Sequence, residues 1–258
     1  MQTRREIIPM QGIPQKMRIL HISDVHFSRA TGHRNNAEIS RKLLALCDQF
    51  GAADAVCVTG DLVSRKYTPE SFQDASALLR ELRTRGRRLY FSLGNHEMDY
   101  PQEVRQAFLD SVPGTVLDNA ADLCEGVWFA GLTLPQTVYK NPKGGYRGLS
   151  DITCGMVEGL LGTCPGTPCV LLAHSPMGLH AYAQWGADAV LSGHVHGGIV
   201  RLGKTGFLSP ERRFFPRYTK GLYREGNCTM NVSAGVGKFR MMNPAEVVCI
   251  ELVPEEEL

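Results

Sequence analysis

Five short apolar runs in this chain each stop at side chains able to bind a cation or move a proton. Asp24 and His26 follow the first, in "HISDVHF", and Asp61 follows the second, in "VTGDLV". Asn95, His96 and Glu97 follow the third, in "LGNHEM", and His174 follows the fourth, in "LLAHSP". His194 and His196 close the fifth, in "LSGHVHGG". Leaving out His96 and Glu97, this set offers carboxylate and amide oxygens and imidazole nitrogens but no thiolate. That donor mixture suits borderline divalent cations such as Mn, Fe or Zn, rather than calcium or a closed structural zinc site. It also exceeds what one tetrahedral ion takes, and sharing Asp61 divides it into two sites. A single histidine is more often a surface or hydrogen-bonded core residue, and an aspartate after a strand more often a turn or cap. Five strand ends with the same donor types argue for convergence, because sites in open α/β sheets assemble beyond the carboxyl ends of strands.

The elements that would position these residues are legible in the hydrophobic pattern. "MRILHIS", "DAVCVTG" and "RLYFSLG" read as buried strands. Between and after them, "AEISRKLLALCDQF" reads as a helix ending at Gly51, and "SFQDASALLRELRTRG" as one opening near Thr68-Pro69 and closing at Gly86. "PQEVRQAFLDSV" is a third, with proline at its start. Beyond it, "GVWFAGL", "PCVLLAH", "ADAVLSG", "CTMNVSAG" and "EVVCIEL" read as strands joined by loops and brief helices. The first half is thus βαβαβ-like and the second richer in strands.

Composition bounds the function. At 258 residues, 43% hydrophobic and 21% charged, the sequence is expected to form one globular α/β domain over residues 1–258. A net charge of +2 gives no case for nucleic acid or an anionic membrane. Arg80, Arg83, Arg85, Arg87 and Arg88 read as the solvated face and end of a helix. No apolar run approaches the roughly 20 residues that span a bilayer, and the charged N-terminus does not read as a secretory signal. The eight cysteines are scattered, with Cys57, Cys169 and Cys249 inside apolar runs, so reduced core thiols and a cytoplasmic location are expected.

Taken in order, "DVH", "GDLV", "GNHE", "AHSP" and "GHVH" resemble the motif series of the calcineurin-like metallophosphoesterase superfamily. The resemblance implies a four-layer α/β/β/α sandwich: two mixed β-sheets packed face to face with flanking helices. It implies two divalent ions, one held by Asp24, His26 and His196, the other by Asn95, His174 and His194, with Asp61 shared. It further implies hydrolysis of a phosphodiester or phosphomonoester, the diester favoured, by direct attack of a bridging hydroxide. His96 would be the general acid, oriented by Glu97. Many members carry Asp at the positions of Glu97 and Ser64. Arg65 lies where the serine/threonine phosphoprotein phosphatases place a phosphate-contacting arginine.

The region after Gly198 is similar to a branch of small bacterial phosphodiesterase-like members, several of which carry an N-terminal membrane helix; none is expected here. Arg212, Arg213, Phe214, Phe215, Arg217 and Tyr218 read as core aromatics with exposed arginines around them. The alternative is a lip for an anionic, partly apolar substrate, which leaves peripheral membrane contact open. The loop "YKNPKGGYRG" reads as a phosphate contact or a simple connection. A small phosphate ester is the expected partner, nucleic acid is not favoured, and no oligomeric state is implied. A non-catalytic interaction module on the same scaffold and a nuclease are the alternative readings.

Overall fold

The computed structural model describes residues 1–28, 35–198, 200–202, 205–208, 216–237 and 242–257. In chain order it begins β1 (Gln2–Met10), β2 (Met17–Ile22), α1 (Asn36–Asp48), β3 (Ala53–Thr59), α2 (Pro69–Arg83), β4 (Gly86–Ser92) and α3 (Gln102–Asp110). It continues β5 (Thr115–Val116), β6 (Ala120–Cys124), β7 (Val127–Leu132), α4 (Cys154–Leu161), β8 (Cys169–Ala173), α5 (Leu179–Trp185) and β9 (Ala189–Ser192). Strands β10 (Val200–Leu202) and β11 (Thr205–Leu208) form a small hairpin, followed by β12 (Gly221–Glu225), β13 (Cys228–Val232) and β14 (Glu246–Pro254).

Two six-stranded sheets result, ordered β1-β14-β2-β3-β4-β5 and β12-β13-β9-β8-β7-β6. Both are mixed: β2 to β5 run parallel while β14 is antiparallel to β2, and β7, β8, β9 and β13 run parallel between antiparallel edges β6 and β12. The expected α/β sandwich of two mixed sheets is therefore the fold.

The period of two along each strand builds the layers. On β2, Leu20 and Ile22 join the apolar cluster under α1 to α3, whereas Met17 and Ile19 join the cluster between the sheets. On β8, Cys169, Leu171 and Ala173 face α4 and α5, while Val170 and Leu172 face the other sheet. Burial on both faces is why these strands read as continuous apolar runs. Tyr90 and Phe129 stack across the sheet interface with ring centroids 4.6 Å apart.

The helices start where the sequence indicates. Asn35 caps α1 by accepting from the Glu38 N–H, and Thr68 caps α2 with Ser71 bonding back and Pro69 at the first turn. Strand β1 was not anticipated. It is an edge strand, where charges and Pro9 are tolerated, and only Ile8 and Met10 on it are fully buried. The arginine cluster does lie on a solvated end: Arg85 pairs with Asp48 and Glu81, and Arg87 with Asp54 and Glu125.

Candidate metal centre

Strands β2, β3, β4, β8 and β9 all end at one edge of the sandwich, and the loops beyond them carry the candidate ligands. Three groups of donor atoms lie within 4.8 Å of one another: Asp24, His26 and His196; His26, Asp61 and His96; and Asp61, His174 and His194. Asp61 joins the second and third groups. The structure thus brings together every His and Asp the sequence singled out, in three overlapping groups linked through His26 and Asp61.

The backbone is bent hard to achieve this. Asp24, His26, Asp61, His194 and His196 all have positive φ, between 52° and 69°. L-residues seldom take that left-handed conformation, and its clustering is a mark of a functional site. The glycines in these turns make room. A Cβ on Gly193 would sit 1.9 Å from Ser23 Oγ and 2.3 Å from Asp24 Oδ2, and one on Gly94 would sit 2.3 Å from Asp61 Oδ1.

Each ligand is held by the loops around it. The Asp24 carboxylate accepts from Ser23 Oγ at 2.6 Å and from the His194 N–H at 3.0 Å. Asp61 Oδ1 accepts from the His96 N–H at 2.8 Å, leaving Oδ2 facing His174 Nε2 at 3.3 Å, His96 Nε2 at 3.6 Å and His26 Nε2 at 3.8 Å. His174 Nδ1 donates to the Thr59 carbonyl at 2.7 Å, which turns Nε2 toward Asp61 and the cluster. Gln136 Nε2 donates to the Asn95 carbonyl at 2.6 Å, and Asn243 Nδ2 to the His196 carbonyl at 2.5 Å.

Electrostatics favour a cation here. Burial alone would raise Asp24 and Asp61, but imidazoles reverse it: His196 and His26 hold Asp24, and His96 and His174 hold Asp61, well below the usual carboxylate range. Burial works against a charged His174, yet Asp61 overrides it and brings that ring up to about 10. Two buried carboxylates thus stay ionised and draw positive charge. The donors also fit an ion. Asn95 Oδ1 is buried and accepts no hydrogen bond among the described residues, a cost of about 1–3 kcal/mol that a bound cation would remove. His26 Nε2 and His196 Nε2 stand 3.3 Å apart, a spacing compatible with two nitrogens sharing one ion at bonds of about 2.1 Å.

Two sequence expectations need correction. Glu97 does not orient His96. Its buried carboxylate accepts the N–H groups of Asp61, Leu62 and Gly94 at 2.8, 3.0 and 2.9 Å, binding the turn after β3 to the turn after β4. Burial and the Asp61 charge push Glu97 up to about 7. His96 is oriented instead by the Arg65 backbone, whose N–H donates to Nδ1 at 3.1 Å and leaves Nε2 with the proton. Burial drives His96 down to about 4, so the ring is neutral at pH 7. The Arg65 guanidinium does not turn toward the cluster. It pairs with Asp99 at 2.6 Å, and Asp99 also pairs with Lys140.

In the 139–148 loop, Asn141 ties the turn by accepting from the Lys143 and Gly145 N–H groups. Of the aromatic, arginine-rich stretch, Arg212, Arg213, Phe214 and Phe215 lie outside the described residues. Tyr218 is buried beneath the exposed Arg217, whose guanidinium sits 5.1 Å from its ring. Tyr139 was missed by sequence reading: it is buried with its ring edge-on to His194, centroids 4.9 Å apart.

Among the described residues, no helix is long and apolar enough to cross a membrane. An uncharacterized metallophosphoesterase of Helicobacter pylori is 28% identical over 221 residues, an alignment spanning 79% of this chain and 52% of that protein. The uncharacterized metallophosphoesterase YkuE of Bacillus subtilis is 25% identical over 230 residues, 87% of this chain and 73% of its own length. The chain therefore spans about half of the first relative and about three quarters of the second. Among solved structures, TT1561 of Thermus thermophilus superposes with a TM-score of 0.52 at 15% identity, covering 85% of this chain and 90% of that one. The Thermus thermophilus sulfate thiohydrolase SoxB gives 0.52 at 17% identity, covering 93% and 57%. These likenesses speak for the fold. The model of calcineurin-like phosphoesterases matches residues 17–198, and with that match the chain belongs to the calcineurin-like phosphoesterase family.

Proposed function

We propose that this chain is a metal-dependent phosphoric ester hydrolase acting on small phosphate esters, with diesters preferred over monoesters. The placing of Asp61 Oδ2 between His26 Nε2 at 3.8 Å and His174 Nε2 at 3.3 Å, one from each proposed ligand set, carries the reading. Asp24, His26 and His196 would hold one divalent ion and Asn95, His174 and His194 the other, with Mn, Fe or Zn the cations their oxygens and imidazoles suit. Such ions, when bound, supply Lewis acidity to phosphoryl oxygens and lower the pKa of solvent beside them.

The protein's own part is to hold that geometry and to move a proton. His96 presents Nε2–H toward the Asp61 side of the cluster, because the Arg65 N–H occupies Nδ1. It is placed to donate to the departing alkoxide. Glu97 keeps Asp61 and Gly94 in register. The cavity beside His194, of about 320 Å³, offers room for a second ester substituent and supports the diester preference. The eight unpaired cysteines suit a reducing cytoplasm, and the exposed Arg217 face would serve for peripheral membrane contact. Residues 1–258 act as one domain in this reading.

The test is hydrolysis by protein reconstituted separately with Mn, Fe and Zn. Bis(p-nitrophenyl) phosphate is expected to give at least about tenfold higher kcat/KM than p-nitrophenyl phosphate. In 18O-labelled water the label should enter the phosphate product, and an isolable phosphorylated residue would contradict direct attack by solvent. His96→Ala should keep its metal and lose about 10²-fold or more in kcat on alkyl leaving groups, and much less on p-nitrophenolate.

A further inference from the structure

The cavity beside His194 is built from four separate segments: Val138 and Tyr139 after β7, residues 149–152 before α4, Ser175 and Met177 after β8, and Arg217 and Tyr218 before β12. His194 is the only candidate ligand among its lining residues, so the cavity opens from the His174 side of the centre and not from His96. Its walls are unusual for a solvent-filled cleft. Tyr139 is 5% exposed, and its hydroxyl makes no hydrogen bond among the described residues. Tyr218 is 6% exposed and is held edge-on by Tyr223, centroids 5.0 Å apart. Met177, 39% exposed, closes one side with an adaptable thioether, and the exposed Arg217 lies over Tyr218 at the rim.

Each feature selects an occupant. Rigid tyrosine faces and a methionine favour a flat ring, through stacked or edge contacts and sulfur–aromatic contact. The Tyr139 hydroxyl, at the wall and bonded to none of the described residues, can donate to a hydrogen-bond acceptor on a ligand. A volume of about 320 Å³ is near the lower bound of ligand pockets, enough for one ring system but not for a long acyl chain or a polymer. We propose that this cavity is the subsite for the non-leaving ester substituent, and that the substituent is a planar aromatic or heteroaromatic group bearing an acceptor. The inference rests on the hydrolase reading above and names the substrate class that reading leaves open.

Two measurements on the Mn-loaded 258-residue chain test it. In the first, methyl p-nitrophenyl phosphate and phenyl p-nitrophenyl phosphate share a leaving group and differ only in the second substituent. In the second, calorimetric titration with methylphosphonate, phenylphosphonate and 4-acetylphenylphosphonate reads binding without turnover. The phenyl compounds are expected to exceed the methyl ones by about tenfold or more in kcat/KM and in affinity. Met177→Trp, which fills the cavity from an exposed position, should bring both ratios close to one. Tyr139→Phe keeps the ring and should erase the advantage of the acetylphenyl over the phenyl ligand. Methylphosphonate binding with no phenyl preference would overturn the subsite and leave the hydrolase reading standing, as would a phenyl preference that survives Met177→Trp. Equal binding of the two aryl phosphonates to the unmodified protein would remove the acceptor from the proposal. Failure of all three phosphonates to bind the loaded protein, with no ester hydrolysed, would overturn the metal-centred reading together with the subsite.

Discussion

Asp24, His26, Asp61, His194 and His196 are held where L-residues are unfavourable by about 1–2 kcal/mol each. Such a concentration of strain persists only where neighbouring contacts over-determine it. Those contacts are the hydrogen bonds to Asp24 and Asp61 and the clearance left by glycines. Gly193→Ala should therefore displace Asp24 and Ser23, reduce bound metal from two ions to one or none by elemental analysis, and cut hydrolysis at least about 10²-fold. Gly159→Ala is the matched control. It lies on the exposed face of α4 with nothing within 4 Å of an added Cβ, and should stabilise by about 0.5–1 kcal/mol with activity intact. Asp61→Asn preserves size and the oxygen that accepts from the His96 N–H, so circular dichroism should stay native while both metal uptake and hydrolysis are lost. Hydrolysis persisting at the parental rate in Asp61→Asn would mean that the shared-carboxylate scheme is wrong.

Between elements, the clasp made by Glu97 matters more than its sequence neighbour His96 suggests. It collects three N–H donors from the turns after β3 and β4. Glu97→Gln puts an NH2 group against one of those donors, an expected loss of about 1–3 kcal/mol in chemical unfolding. Because the clasp positions Asp61 and Gly94, metal affinity should fall as well, and aryl and alkyl esters should slow by the same factor. A loss confined to poor leaving groups would instead restore Glu97 as the orienting partner of His96. Adjacency in sequence misled there, since the backbone amides that Glu97 and His96 use leave no side-chain signature. For the same reason Arg65 drew attention to its guanidinium and not to its N–H. Strands β2, β3, β4, β8 and β9 were legible because both faces are buried and their ends carry the ligands. Strand β1 was not, because an edge strand with Arg4, Arg5 and Glu6 has no apolar run. Tyr139 and Asn243 reach the centre from loops whose local sequence is ordinary.

Across the whole molecule, a polar seam crosses the otherwise apolar interface between the sheets and ends beneath the candidate metal centre. Arg4 on β1 pairs with Glu246 on β14 and donates to Asn231 on β13, in the other sheet. Asn231 Nδ2 donates to His21 Nδ1 at 2.8 Å, and His21 Nε2 lies 2.9 Å from Thr59 Oγ1 on β3. The Thr59 carbonyl receives His174. His21 must be neutral to accept from Asn231, and burial, with Arg4 adding to it, lowers the ring from 6.5 to about 3. Between about pH 3 and 6.5 the unfolded chain therefore binds a proton that the folded chain refuses. Stability rises with pH through that window, is complete above 6.5, and is lost as the solution is acidified, by on the order of a few kcal/mol. Glu246 adds to the same acid limb at its lower end: burial opposes its ionisation, but Arg4 and Lys220 hold it below its ordinary value, so its contribution disappears as pH falls through that lowered pKa. His21→Gln, with one acceptor and one donor group for the same two partners, should lower stability at pH 7 yet flatten the slope between pH 4 and 6.5. Urea unfolding at several pH values in EDTA, for parent and variant, measures that slope. Parallel pH profiles for the two proteins would place the acid sensitivity elsewhere and remove His21 from the joint between the sheets.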